Sequence, residues 1–360
     1  MRLLFAESSV RGYGTEQHIA ALATAMARRG HDVRCLAIAG SPVAGLLQET
    51  QVRMVSVRPG RSRGMRIAAA LLRTAMGQHP DWLVSNDPRF YRMFLAVRAL
   101  TGARVALFRH WHDVPARPRS RELLSRRTDR FILVSRFHRD DYARQGMSVE
   151  RACILYNPID TGHFRPSAAA RAGVRARLGF GDSEVIIGYV GRMIAAKGIF
   201  TLLDAAERFL AVEASARVLW VGDGEDLGAL QERVRRSSHA SRHRFEGWTA
   251  DMAALYAALD ILAVPSLYPE PFGRVSVEAQ AAEVPVVSSL AGGLPETFVA
   301  DTTGIGVEPG NAAALADAVL ALISDPGRRR RMGAAGREWA CTRFSLERIA
   351  ADFEAVLAGG

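Results

Sequence analysis

Two doubly wound α/β domains in tandem are what this sequence predicts, and three features predict them. Through the first 156 residues, short apolar runs alternate with stretches carrying an amphipathic, helix-period stripe. A segment rich in turn formers, Asn157-Pro158-Ile159-Asp160-Thr161-Gly162-His163-Phe164-Arg165-Pro166, then interrupts the pattern. Beyond it the same alternation restarts with cleaner apolar runs. Strand–helix alternation of this kind signals a parallel sheet covered on both faces, and Pro, Gly and Asn together mark a linker.

In order, residues 2–6, 32–37, 52–57, 82–85, 105–108 and 131–134 read as strands of the first domain. An amphipathic helix over 16–29 joins the first two and is stopped by Gly30. In the second half, 185–190, 217–221, 261–264, 286–288 and 305–307 read as strands. They alternate with helices near 201–211, 227–236, 274–282 and 312–323, and a last amphipathic helix covers 346–357. The expected division is 1–156, a linker over 157–166, a second domain over 167–343, and a C-terminal segment 344–360. Ligands of such sheets sit where strands lead into helices, so the expected active site lies at those ends, in a cleft between the domains.

Hydrophobic residues make up 49% of the chain, enough for two cores and too many for a disordered protein. Cys35, Cys153 and Cys341 are far apart and match no metal spacing, which reads as reduced thiols in the cytoplasm. The apolar start is cut at Glu7, too early for a signal peptide, and no run of 18 apolar residues occurs. Net charge is +10 but unevenly placed: residues 1–165 hold 27 arginines against 13 acids, while the rest is slightly acidic. A basic half beside an acidic half implies different partners for the two. Phosphorylated substrate, anionic membrane or a plain arginine-rich surface would each explain it. Scattered aromatics and no recognised motif argue against nucleic acid.

The chemistry-bearing residues follow strands. Gly12-Tyr13-Gly14-Thr15-Glu16-Gln17 imitates a dinucleotide fingerprint, but Gln17 replaces the third glycine and no acid follows about twenty residues on. What remains is a tight turn that either admits a phosphate or sugar at the helix start or holds nothing. After strand 185–190 come Gly191-Arg192 and Lys197-Gly198, and Lys197 is the only lysine in the chain. Two cations in a flexible loop can neutralise a diphosphate without a metal. Gly222-Asp223-Gly224 gives a second flexible rim after the next strand. Glu270 precedes a helix and Glu278 lies inside it, roughly 7 Å further along the axis if measured from the helix start. Two carboxylates at different depths can accept from hydroxyls of two different sugar units. Apolar neighbours at Val275, Val277, Ala279, Ala281 and Ala282 leave Glu278 no wet face.

With Glu270-Pro271-Phe272-Gly273, the spaced Glu278, the Gly191-Arg192…Lys197-Gly198 loop and Gly292-Gly293-Leu294-Pro295-Glu296, the chain resembles retaining glycosyltransferases of family 4 over essentially its whole length. Gly14 and Glu16 resemble that family's first helix opening, and Asp160 with Phe164-Arg165-Pro166 its interdomain linker. The resemblance implies the GT-B fold, two facing Rossmann-like domains, with the last helix crossing back to brace the first. It implies a nucleotide-diphosphate sugar donor and no metal or other cofactor. Arg192 and Lys197 would hold the diphosphate, Glu278 the ribose, and Glu270 the transferred sugar. Phe272 and Gly273 would lie against sugar and phosphate, Gly222 would line the donor, and Gly14 would approach from the other domain. His112, in His110-Trp111-His112-Asp113, aligns with a family His-Asp near the sugar, and Asn86 and Asp87 would line the acceptor pocket with His110 and Asp113. Ala196 and Pro158 depart from the family's usual acid and glycine.

The expected reaction is hexosyl transfer to an acceptor hydroxyl with the α configuration retained. The acceptor would be a glycan, a glycolipid or lipopolysaccharide precursor, or a small glycoside. Rival readings are a GT-B phosphorylase, a nucleotide-sugar epimerase, or a non-catalytic sugar-nucleotide sensor. Residues 58–66 and 117–130 are the arginine-rich segments expected to touch the inner face of the cytoplasmic membrane, if the basic half does so.

Overall fold

The structure is a computed structural model that describes residues 1–9, 14–60, 63–87, 90–109, 118–249 and 251–359. The chain divides into two compact units, Met1–Pro158 with Leu346–Gly360, and Ile159–Ser345.

The first unit runs β1 (Arg2–Ala6), α1 (Gly14–Arg28), β2 (Asp32–Ile38), α2 (Pro42–Leu47), β3 (Arg53–Val57), α3 (Arg63–Gln78) and β4 (Trp82–Ser85). It continues through α4 (Tyr91–Thr101), β5 (Arg104–Arg109), α5 (Pro118–Arg127), β6 (Arg130–Leu133), α6 (Arg136–Arg144) and β7 (Ala152–Ile154). Among the described residues, seven strands form one sheet in the order β3-β2-β1-β4-β5-β6-β7. Every pairing is parallel, with Phe5 opposite Cys35 on one side and Val84 on the other. Alternation explains the unbroken apolar runs: Leu3 and Phe5 face one core with α1, whereas Leu4 and Ala6 face the other with α3 and α4.

The second unit runs α7 (Ala168–Leu178), β8 (Val185–Val190), α8 (Ile199–Val212), β9 (Ala216–Val221), α9 (Leu227–Arg235), β10 (His243–Glu246), α10 (Met252–Ala258) and β11 (Ile261–Val264). Then come α11 (Arg274–Ala281), β12 (Val286–Ser289), β13 (Gly304–Val307), α12 (Ala312–Ser324) and α13 (Pro326–Phe344). The sheet order is β10-β9-β8-β11-β12-β13, again all parallel. Ile187 and Tyr189 face one core, Ile186 and Val190 the other. The last helix, α14 (Leu346–Ala358), belongs to the first unit. There Phe353 packs against Phe5 and Phe108, and Arg29 Nε donates to Glu354 Oε2 at 2.8 Å.

Strand positions agree with the expected ones to within a residue or so, with additions. β7 and β10 lie outside the expected set, and both are edge strands, where pairing on one side only tolerates polar residues. α13 is also unexpected: Arg-Arg-Arg-Arg at 328–331 hides any apolar stripe. It forms because Pro326 starts it, the Asp325 carboxylate accepts from the Arg328 amide at 2.7 Å, and buried Gly333 and Gly336 let it lie close to its neighbours.

Candidate active site

The loops leaving β8, β11 and β12 meet at the carboxyl ends of the second sheet. After β8 the chain turns through a short 3-10 helix over Ala195–Lys197. The Ala196 carbonyl accepts the amides of both Leu267 and Tyr268 at 3.0 Å, tying this loop to the one after β11. Lys197 Nζ forms a part-buried ion pair with Glu270 Oε1, and the Ser266 hydroxyl donates to the same oxygen at 2.9 Å. Glu270 is fixed from its other side by the glycine pair after β12. Its backbone bridges Gly292, and its carbonyl accepts the Gly293 amide at 2.7 Å. Gly292 has φ +64, and a Cβ there would lie 2.4 Å from the Glu270 carbonyl oxygen, so only glycine permits this approach. Tyr189 donates from its hydroxyl to the Arg192 carbonyl at 2.7 Å. Burial first, and then the Glu270 carboxylate, raise its pKa, so it remains a donor. The Arg192 side chain is exposed and has no hydrogen bond or ion pair among the described residues. Gly222 closes the neighbouring turn, where a Cβ would meet the Gly191 carbonyl oxygen at 2.0 Å.

Glu278 is buried, as its apolar flanks imply. The Tyr256 hydroxyl donates to Oε2 at 2.9 Å, and Arg274, one turn earlier on α11, reaches Oε1 with Nη2 at 3.0 Å. Burial, then the adjacent Glu278 charge, hold the Tyr256 pKa well above its ordinary value, so the hydroxyl stays protonated. Phe272 is buried against Phe344, ring centroids 5.6 Å apart. Gly273 then caps α11 at φ +123 with no side-chain hydrogen bond.

The structure therefore brings Arg192, Lys197, Gly222, Glu270, Phe272, Gly273 and Glu278 to neighbouring loops and to α11 of one unit. It revises the simplest sequence picture in one respect. Lys197 is not an idle cation but is neutralised by Glu270, because two part-buried opposite charges stabilise each other more than either does alone. Tyr256, Ser266, Tyr189 and Arg274 support these groups and were not singled out in the sequence, where each looks like an ordinary core or surface residue. The i, i+4 spacing of Arg274 and Glu278 was the one readable signal.

In the first unit, Gly14 is the first residue of α1. Asp87 is buried and accepts from the Ser8 hydroxyl at 2.5 Å, while its amide donates to Ser85 Oγ at 2.9 Å. Asn86 beside it is half-buried. His110, His112 and Asp113 lie outside the described residues. Buried His18 on α1, also unanticipated, has Nδ1 2.9 Å from Asn157 Oδ1 and its ring edge on Phe108. Among the described residues no group of three or more His, Cys, Asp or Glu side chains is placed to hold a metal ion.

Two all-parallel doubly wound units, with the last helix returned to the first, form the GT-B architecture of glycosyltransferases. Residues 171–339 match the family described as Glycosyl transferases group 1, and residues 13–163 match Glycosyltransferase Family 4. A GDP-mannose-dependent alpha-(1-6)-phosphatidylinositol monomannoside mannosyltransferase of Mycobacterium tuberculosis is 33% identical over 280 residues, 74% of this chain and 72% of the relative. A D-inositol 3-phosphate glycosyltransferase of Segniliparus rotundus is 34% identical over 212 residues, 56% of this chain and 46% of its own. The solved structure of Anabaena HepE in complex with UDP superposes with a TM-score of 0.86 at 23% identity, covering 100% of both chains. The chain belongs to glycosyltransferase family 4 and is a glycosyltransferase.

Proposed function

We propose that the protein moves a hexosyl unit from a nucleoside-diphosphate hexose to a hydroxyl of a glycan or glycolipid acceptor, retaining the α configuration and using no metal. The observation that carries this reading is the Lys197–Glu270 pair, with Ser266 on the same carboxylate oxygen and the unpaired Arg192 on the same loop. A diphosphate is an acceptor-only dianion; Arg192 and Lys197 are donors suited to it. As the glycosidic bond breaks, charge grows on the leaving diphosphate, and these fixed donors stabilise it. Glu270, relieved of Lys197 by the diphosphate, is then free to accept from the sugar hydroxyls. Glu278, held by Tyr256 and Arg274, would accept from the ribose. With retention, the leaving diphosphate oxygen takes the acceptor's proton on the face from which it departs, so the protein supplies position and charge rather than a general base.

The relatives' names support a nucleotide-bound hexose and a hydroxyl on a lipid-linked or small polyol acceptor. GDP-mannose, named for one relative, and UDP-glucose, bound by HepE in another solved complex, are therefore the donors to screen first, followed by product analysis with and without acceptor. Transfer with an α-linked product is expected. An epimerised sugar from donor alone, or phosphorolysis, would replace the proposal. Lys197→Ala is expected to lower kcat by at least about a hundredfold with the fold intact. Near-normal turnover in that variant rejects the role given to Lys197. Lys197→Arg is expected to restore little, because a planar fork does not replace a point charge between Glu270 and a phosphate.

A further inference from the structure

We infer that the outer face of α3 is an interfacial anchor that seats the first unit on an anionic lipid bilayer. α3 buries Ile67, Leu71, Thr74, Ala75 and Gln78 against the sheet, and Gln78 Nε2 donates to the Asp32 carbonyl at 3.1 Å. The opposite face of a helix covering a sheet is ordinarily polar. Here it carries Met65, Ala69, Leu72 and Met76, at i, i+4, i+7 and i+11, which makes a second apolar stripe turned away from the core. Met65 is 74% exposed, Met76 47% and Leu72 39%. Contiguous exposed apolar side chains mark an interaction surface.

Charge selects the partner. Residues 50–80 contain six arginines and no aspartate or glutamate. Arg66 and Arg73 flank the stripe, and with Arg58 they have no acidic partner among the described residues. An apolar strip bordered by arginines fits the boundary of acyl chains and anionic headgroups, where the side chains' stems lie along the apolar layer and the guanidiniums reach phosphate. A second copy of the chain fits badly. A two-fold contact would set this patch against itself, opposing arginines to arginines with no acid in the segment to answer them. The other basic segment is of a different kind: the groove of about 550 Å³ between α5 and the loop before β7 mixes Arg119, Arg121, Arg126 and Arg151 with Glu122 and Glu150. Among the described residues no helix is long and apolar enough to cross a membrane, so contact through α3 would be in the plane of the surface.

Cosedimentation of the full chain with phosphatidylcholine vesicles, with and without phosphatidylglycerol, tests this. Binding is expected only with phosphatidylglycerol, and it should weaken as salt rises. The triple substitution Met65→Ser, Leu72→Ser, Met76→Ser should weaken it at least tenfold. Arg66→Gln with Arg73→Gln should weaken it roughly thirtyfold, at about one kcal/mol per arginine. All five side chains are exposed, and the bond from Arg66 Nη2 to the Pro59 carbonyl at 3.0 Å is itself at the surface, so the thermal midpoint should shift little and report an intact fold. Absence of wild-type binding, or wild-type binding by the triple variant, overturns the inference. Loss of binding on Arg119→Gln with Arg126→Gln alone would move the anchor to α5 and overturn it as well. A lipid-free dimer that the triple variant dissolves would assign the face to a second copy instead.

Discussion

Lys197, conspicuous as the only lysine, and Glu270, conspicuous in its motif, turn out to be each other's partner. Composition could single out the lysine, but the ion pair joins residues 73 positions apart, and no periodicity spans that distance. The same limit applies to Tyr256, whose hydroxyl is aimed at Glu278 from another helix. His243 shows a residue whose surroundings set its chemistry outright. Trp220 Nε1 donates to its Nδ1 at 3.1 Å, it lies in the protein interior, and burial pushes its pKa down to about 4. The folded protein thus holds it neutral, while the unfolded chain takes up a proton near pH 6.5. Stability from this residue is complete above about pH 6.5 and is lost as the pH falls towards 4, by about 3 kcal/mol in all. Denaturant titrations across that range should show this fall. His243→Gln, which keeps an acceptor for Trp220 but does not titrate, should flatten it.

At the scale of elements, glycines decide how closely the loops of the site approach. The Gly292-Gly293 pair was legible as a motif, but the reason for it was not: it lets the β12 loop bridge the backbone of Glu270. Gly292→Ala places a Cβ against that backbone at a positive φ. It is expected to cost about 1–3 kcal/mol of stability and, by shifting Glu270, about a hundredfold in kcat. Unchanged kinetics in a folded Gly292→Ala protein would show that the Glu270 position does not depend on the bridge. Interior strands and amphipathic helices were readable because each follows one period over several residues. α13 was not, since its helical state depends on a cap, a starting proline and small residues at a packed face rather than on a stripe.

For the whole molecule, α14 is the element whose sequence position and structural membership differ most. It follows the second unit in the chain yet completes the core of the first, where Phe353 is fully buried with Phe5 and Phe108. Phe353→Ala should destabilise the first unit by about 3–5 kcal/mol, and in differential scanning calorimetry should lower its transition while leaving that of Ile159–Ser345 in place. A single transition shifting as a whole would instead mean that the two units unfold together. By itself the sequence determined the alternation of strands and helices, the two-unit plan and the family, because local period and short motifs are written in consecutive residues. Only the tertiary structure decided the strand order 3-2-1-4-5-6-7, the pairing of Lys197 with Glu270, the Tyr256 and Arg274 grip on Glu278, and which side of α3 is left bare. Those depend on which distant side chains share a buried volume, and burial, charge pairing and exposure exist only once the chain has packed.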